Sequence, residues 1–399
     1  WSSDVCSSDL DFDEKLIEAT INNYKMELMR SFEENDSRAI LYVYSFISGA
    51  DWADEVARLD RMSKITKQDV VEWANKYLGP ESYAIIYKRE GKDPDEQKIA
   101  APKITPIVTN RDSQSEFLSE IQTSQVQPIE PVFVDYKKDM SQFEAQPGID
   151  VLYKKNETND IFTLIYVFNT GTENDPALNL AFNYLSYLGT DKMTAEEIAS
   201  EMYDIACSFY MNAGANQSSI QITGLSENMG KAMEIVEGLI AGAKPDEAIL
   251  ENCKADMLKS RADAKLNQSR CFGALQRYLF YGGDFIRRTT LTDPALQALT
   301  SEQLLAKIGG LMGKQHEVLY YGPQKEAEVK SALAEHHKVA ADLQPLEKKF
   351  STLLPTDANK VVLAQYDAKQ LYYLQFSNRG EKFDVAADPE IGRASCRER

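Results

Sequence analysis

The chain has 399 residues, 43% of them hydrophobic, and carries 44 basic against 62 acidic side chains, for a formal net charge of −18. That length suits about two domains of roughly 150 to 200 residues each. The charge opposes attraction to nucleic acid or to an anionic membrane surface, so neither is expected as a partner. No apolar run approaches the roughly 20 residues that span a bilayer, and the expectation is a soluble chain, cytoplasmic or periplasmic with nothing to choose between them.

In chain order, residues 1–10 (WSSDVCSSDL) and 391–399 (IGRASCRER) read as translated sequencing-adapter strings and are set aside, which implies a natural chain longer at both ends. Cys6 and Cys396 go with them. The three cysteines left, Cys207, Cys253 and Cys271, have no CxxC spacing, so neither a disulfide framework nor a thiolate metal site is expected. Residues 11–90 begin with a long helix, Phe12 to Asp36, and end with a capped helix from Thr66, a glycine stop at Gly79 and a strand reaching Tyr87. Residues 91–130 are rich in Pro, Gln, Ser and Thr and read as a linker, with a short helix around Phe117, Leu118 and Ile121.

Residues 131–349 read as one nearly complete domain. Alternating apolar residues predict strands at Asp150 to Lys154, Phe162 to Asn169, Phe209 to Ala213, Ser218 to Thr223 and His316 to Tyr321. Helices are predicted near 175–188, 194–206, 226–242, 246–268, 269–281, 300–312 and 324–337. Asp175 ahead of Pro176 suits a helix start, and Thr194 with Glu197 has capping-box spacing. After a connection, Val361 to Gln365 and Gln370 to Ser377 read as the opening strands of a further domain over 350–390. Strands with helices grouped between them predict α+β domains, each a mostly antiparallel sheet with helices packed on one face.

The chain also repeats itself. Residues 66–87 align without gaps on 300–321: Thr66 matches Thr300, Val70 and Val71 match Leu304 and Leu305, Gly79 matches Gly313, and Tyr87 matches Tyr321. Upstream, Ser37-Arg38 pairs with Ser269-Arg270, and Gly49-Ala-Asp-Trp52 with Gly282-Gly-Asp-Phe285. A period of this size is that of a whole domain, not of a solenoid unit.

From Asn174 to Ala213 the order is an apolar helix, Leu188-Gly189-Thr190, a second helix and a strand containing Asn212-Ala213. This order resembles the pitrilysin/insulinase family of zinc metallopeptidases, whose first helix carries His-x-x-Glu-His. Anchored on Leu188-Gly189-Thr190, the three motif positions fall on Leu180, Asn183 and Tyr184. Leucine has no ligand atom, and neutral asparagine and tyrosine are poor zinc donors and weak bases. The family's further zinc-binding glutamate would fall near Lys259-Ser260, where the nearest acids are Asp256 and Asp263. The resemblance therefore implies repeated pitrilysin-like domains, here the end of a catalytic half, a linker and most of a non-catalytic half. It implies zinc in the full-length metalloendopeptidase, none bound by this part, and peptide hydrolysis in a chamber closed between two halves. Its partners would be peptide substrates and the catalytic half of the same chain, or a catalytic subunit. The alternative is a non-catalytic scaffold or peptide-binding subunit of the same fold.

Other chemistry is weaker. His336 and His337 are adjacent and suit a solvated helix end, while His316 suits a strand edge or turn; no pair has the i, i+4 spacing that grips a metal. Adjacent Glu196 and Glu197 do not face each other. Cys207, Cys253 and Cys271 suit core or boundary positions, and Tyr372 and Tyr373 suit a half-buried strand.

Overall fold

Alternation of apolar residues becomes a sheet wherever the segment finds neighbours on both sides. The structure, a computed structural model, describes residues 12–78, 84–88, 90–91, 100–106, 113–346, 351–368 and 370–378. Its six strands are β1 (Ser141–Gln146), β2 (Ile149–Lys155), β3 (Ile161–Phe168), β4 (Cys207–Ala213), β5 (Ser218–Leu225) and β6 (His316–Gly322), in the order β1-β2-β6-β3-β5-β4. Every junction is antiparallel except β2 with β6, which is parallel. Leu164 of β3 stands opposite Ile222 on one side and Tyr320 on the other, which puts β3 between two partners along nearly its whole length. Phe162, Leu164, Tyr166 and Phe168 therefore share one fully buried face.

The helices of the described residues are, in chain order, α1 (Lys15–Ser31), α2 (Asn35–Ser48), α3 (Trp52–Val56), α4 (Arg58–Met62), α5 (Lys67–Tyr77) and α6 (Glu116–Thr123), then α7 (Leu178–Leu185), α8 (Ala195–Asp204), α9 (Met229–Gly242), α10 (Glu247–Lys265), α11 (Gln268–Thr289), α12 (Asp293–Gln297), α13 (Ser301–Met312) and α14 (Glu326–His336). Those that follow β3 in the chain supply the cover of its buried face. Leu180, Phe182 and Leu185 of α7, Met233 and Val236 of α9, Leu250 of α10, Leu304 and Ile308 of α13 and Val329 of α14 join the sheet in one core. Each such fully buried side chain is worth roughly 1.5 to 3 kcal/mol in area removed from water. Capping boxes close the starts of α8 (Thr194 with Glu197) and α13 (Thr300 with Gln303).

The chain divides into two compact units. One holds the described residues up to Thr66 together with those from Lys137 onward. Within it α1 is tied to the domain by Asn23 Nδ2 donating 2.8 Å to the Tyr203 carbonyl and by Arg30 Nη2 donating 2.7 Å to Thr223 Oγ1. The other unit, Lys67 to Tyr136, holds α5 and α6. Ser115 caps α6, the short helix that the apolar spacing at Phe117, Leu118 and Ile121 predicts. Residues 124–136 carry no regular structure.

The domain-length repeat reappears as geometry. Helices α1, α2, α3, α4 and α5 recur as α10, the first part of α11, its last part, α12 and α13, at an offset of about 232 to 235 residues. Gly49 ends α2 at φ +67, and its counterpart Gly282 breaks α11 at φ +81. Both sit in the left-handed region where a Cβ is costly.

Several expectations are corrected. Phe12 to Asp36 is not one helix: α1 stops at Ser31 and α2 starts at Asn35. Residues 84–88, the described part of the strand expected to end at Tyr87, carry no regular structure, whereas their counterpart β6 has partners on both sides. Val361 to Gln365 and Gln370 to Ser377 are not strands either. Among the described residues they join no ladder; 370–377 instead lie along α11, where Phe376 packs on Phe280 at 4.5 Å and Tyr372 meets Phe272 at 5.5 Å, and upstream the Leu354 amide donates to the Phe280 carbonyl. Tyr373 is exposed. Strand β1 was not anticipated, because SQFEAQ has one large apolar residue and sits at a sheet edge. The adapter-like termini, Gly79, linker residues 92–99 and 107–112, and residues 379–390 of the expected further domain lie outside the described residues.

Candidate functional site

The site that the motif order points to lies between α7 and β4. Helix α7 begins after a turn in which Gly171 approaches the β4–β5 connection so closely that a Cβ there would lie 2.4 Å from the Gly214 carbonyl oxygen. The amides of Thr172 and Glu173 donate 2.9 Å to the carbonyls of Gly214 and Ala215, fixing the turn against the hairpin. Asp175 serves the helix start through the Ala177 amide at 3.0 Å and pairs with Lys307. The helix itself starts at Leu178, slightly later than predicted. At its far end Leu188 is buried, Gly189 backs onto the Met193 carbonyl, and Thr190 Oγ1 accepts from the Met193 amide at 3.1 Å, turning the chain into α8.

The three motif positions separate. Leu180 and Tyr184, one turn apart, both face the core and are 1% and 0% exposed. The Tyr184 hydroxyl lies 2.8 Å from Ser301 Oγ and 3.0 Å from the Asp246 carbonyl, and accepts 2.7 Å from the Asp246 amide. It thereby ties α7 to the first residues of α10 and α13. Asn183 alone of the three is exposed. These residues do not fit a zinc ion: Leu180 has no donor atom, Tyr184 spends its oxygen on protein partners, and Asn183 faces away from both. Lys259, Ser260, Asp256 and Asp263 on α10 are all exposed. Among the described residues no group of three or more His, Cys, Asp or Glu side chains is arranged to hold a metal.

Asn183 instead borders a small groove of about 210 Å³ between α7 and β4, with Asn179, Phe182 and Ser186 on the helix side and Phe209 to Ala213 on the strand side. Strand β4 ends the sheet order, so one side of its backbone has no strand partner among the described residues. Tyr210 stands out beside it, 64% exposed. A free strand edge next to a shallow, neutral, part-aromatic groove can take an extended peptide by main-chain pairing. A larger open cleft of about 1040 Å³ near Met29, Arg38, Lys155 and Tyr321 mixes both charges and brings no donor set together.

The histidines depart most from expectation. His316 opens the interior strand β6 and is 4% exposed, and His337, just past α14, is 6% exposed. Their Nε2 atoms are 2.9 Å apart, and His337 Nδ1 is 2.5 Å from Glu237 Oε1 on α9. His316 therefore is no edge residue and His337 no solvated helix end. Nothing near AEHHKVA in the sequence signals this, because the partners lie 21 and 100 residues away. Glu197 acts as the capping partner of Thr194. Burial pushes the Cys207 thiol up to about 12, which leaves it an inert core residue.

No protein-family model matches the chain, and no curated protein matches it. Solved structures do. A peptidase M16 inactive domain from Pseudomonas fluorescens is 17% identical with a TM-score of 0.47, over 54% of this chain and 54% of that one. A protease from Helicobacter pylori is 14% identical with a TM-score of 0.44, over 55% of each chain. The periplasmic protease PqqL from Escherichia coli is 12% identical with a TM-score of 0.45, over 86% of this chain and 40% of that one. This chain thus spans about half the length, or less, of the structures it is similar to. No helix among the described residues is long and apolar enough to cross a membrane.

Proposed function

We propose that this chain is a non-catalytic part of a pitrilysin-like zinc metalloendopeptidase, and that it holds extended peptides along the edge of β4. The carrying observation is the division of labour in α7: Leu180 and Tyr184 are spent on the core, while Asn183 stays on the wall of a groove beside a free strand edge. The order of elements from Asn174 to Ala213 and the domain-length repeat support the same family reading. Zinc and peptide cleavage belong on this account to a catalytic half or subunit. The net charge of −18 favours neutral or basic peptides.

The test is binding of a fluorescent, unstructured neutral-to-basic peptide in the presence of a metal chelator. Saturable binding that survives the chelator is expected, together with a loss of roughly tenfold or more in affinity when Asn183→Trp fills the groove. A scaffold without a peptide site would show no saturable binding. Cleavage by this chain, abolished by the chelator, would contradict the non-catalytic reading.

A further inference from the structure

The buried row Glu237, His337 and His316 has a proton count that its partners fix. The Lys314 carbonyl only accepts, so His316 Nδ1, 2.8 Å away, carries a hydrogen. A neutral His316 then has a bare Nε2, and the hydrogen in the 2.9 Å contact comes from His337 Nε2. One more proton lies between His337 Nδ1 and Glu237 Oε1 at 2.5 Å. The rings stand at 89° with centroids 5.1 Å apart, so the two Nε2 atoms lie on the line between them. That is hydrogen-bond geometry. A metal bonded to both nitrogens along their lone pairs at about 2.0 Å each would need them farther apart.

This row joins three parts of the fold: α9 through Glu237, the start of β6 through His316, and the first residue after α14 through His337. From His337 the chain runs to Gln344, whose carbonyl accepts from the Gln315 amide at 2.9 Å and whose amide donates to the Gly313 carbonyl at 3.0 Å. Leu343 is buried on the way. The connection is thus pinned at both ends beside His316.

We propose that the Glu237–His337–His316 row is an acid-sensitive latch: a proton taken by His316 sets N–H against N–H, breaks the imidazole–imidazole bond and frees residues 337–346 from the end of the sheet. Other groups facing the row do not supply a counter-charge to a protonated His316. From β3 come Phe168, 4.7 Å from the His316 ring, and Tyr166, 4.2 Å from the His337 ring with its hydroxyl toward Glu237. From β2 comes apolar Ile149, opposite His316. At the end of α14, His336 lies 4.0 Å from Glu335, and Lys338 Nζ donates to the Ala334 carbonyl. Burial is the largest influence on His316 and brings it down to about 4; the Lys314 carbonyl works the other way, and His337 adds to the lowering.

The experiment is amide hydrogen exchange on the full chain at about pH 7.5 and about pH 5.5, corrected for intrinsic rates. Between those values the open state gains a proton that the closed state refuses, so opening of 337–346 should rise about tenfold while β3 and β5 stay protected. In His316→Asn the rise should vanish. No rise, a rise shared equally by β3 and β5, or the same rise in the variant would overturn the latch. Should the variant not fold, nitrogen NMR of the wild-type imidazoles decides: an Nδ1–H tautomer of His316 titrating below about pH 5 supports the latch. A midpoint near the ordinary 6.5 overturns it.

Discussion

Tyr184 shows what one side chain does at a position that the sequence resemblance aligns with a metal ligand. Its hydroxyl serves the starts of two helices at once, and removing it takes a partner from the buried Ser301 hydroxyl and from the part-buried Asp246 amide. Tyr184→Phe should therefore cost about 1 to 3 kcal/mol, read as a lower urea midpoint with an unchanged m-value. His316 gives the residue-scale pH dependence. Its folded-state value of about 4 lies below the ordinary 6.5, so between the two the unfolded chain binds the extra proton. The contribution is intact above about pH 6.5 and is lost as pH falls toward 4, about 3 kcal/mol in all. Denaturation midpoints across that range should fall in the wild type and stay level in His316→Asn. That Leu180, Asn183 and Tyr184 lack zinc chemistry was legible from residue type. That two of them point inward and one outward required the tertiary contacts of α10, α13 and β4.

Elements with period-2 or helical spacing and a cap were legible wherever local pattern and tertiary partner agree. The run from Phe162 finds β5 and β6 beside it and becomes the central strand, and Thr194 with Glu197 closes the box that their spacing predicts. Pattern without a partner misled. Val361 to Gln365 has strand spacing but no ladder to join among the described residues, and the backbone polar groups of a strand need one. The reverse error is β1, whose polar face hides it in the sequence while β2 supplies its partner. The kink in α11 belongs to the same scale: Gly282 has φ +81, and a Cβ there would stand 3.1 Å from Leu354 Cδ1. Gly282→Ala should lower stability by about 1 kcal/mol or more, measured by thermal or urea unfolding, because it both strains the left-handed residue and crowds the segment lying on α11.

At the scale of the whole molecule, the repeat of α1 to α5 as α10 to α13 means that the chain uses one helical scheme twice. In the second use the scheme leads into β6 and the six-stranded sheet; in the first, residues 84–88 join no sheet among the described residues. The proposed peptide site belongs to the second use: a mostly antiparallel sheet with helices on one face, an edge at β4 with no strand partner among the described residues, and a helix α7 that spends Leu180 and Tyr184 on the core. The most direct measurement is hydrogen exchange at Cys207–Ala213 with and without a saturating neutral-to-basic peptide, chelator present throughout. Slower exchange along β4, with no change at the opposite edge strand Ser141–Gln146 and the peptide recovered intact, is the predicted result. Unchanged exchange at β4, or peptide cut in a chelator-sensitive way by this chain alone, would contradict it.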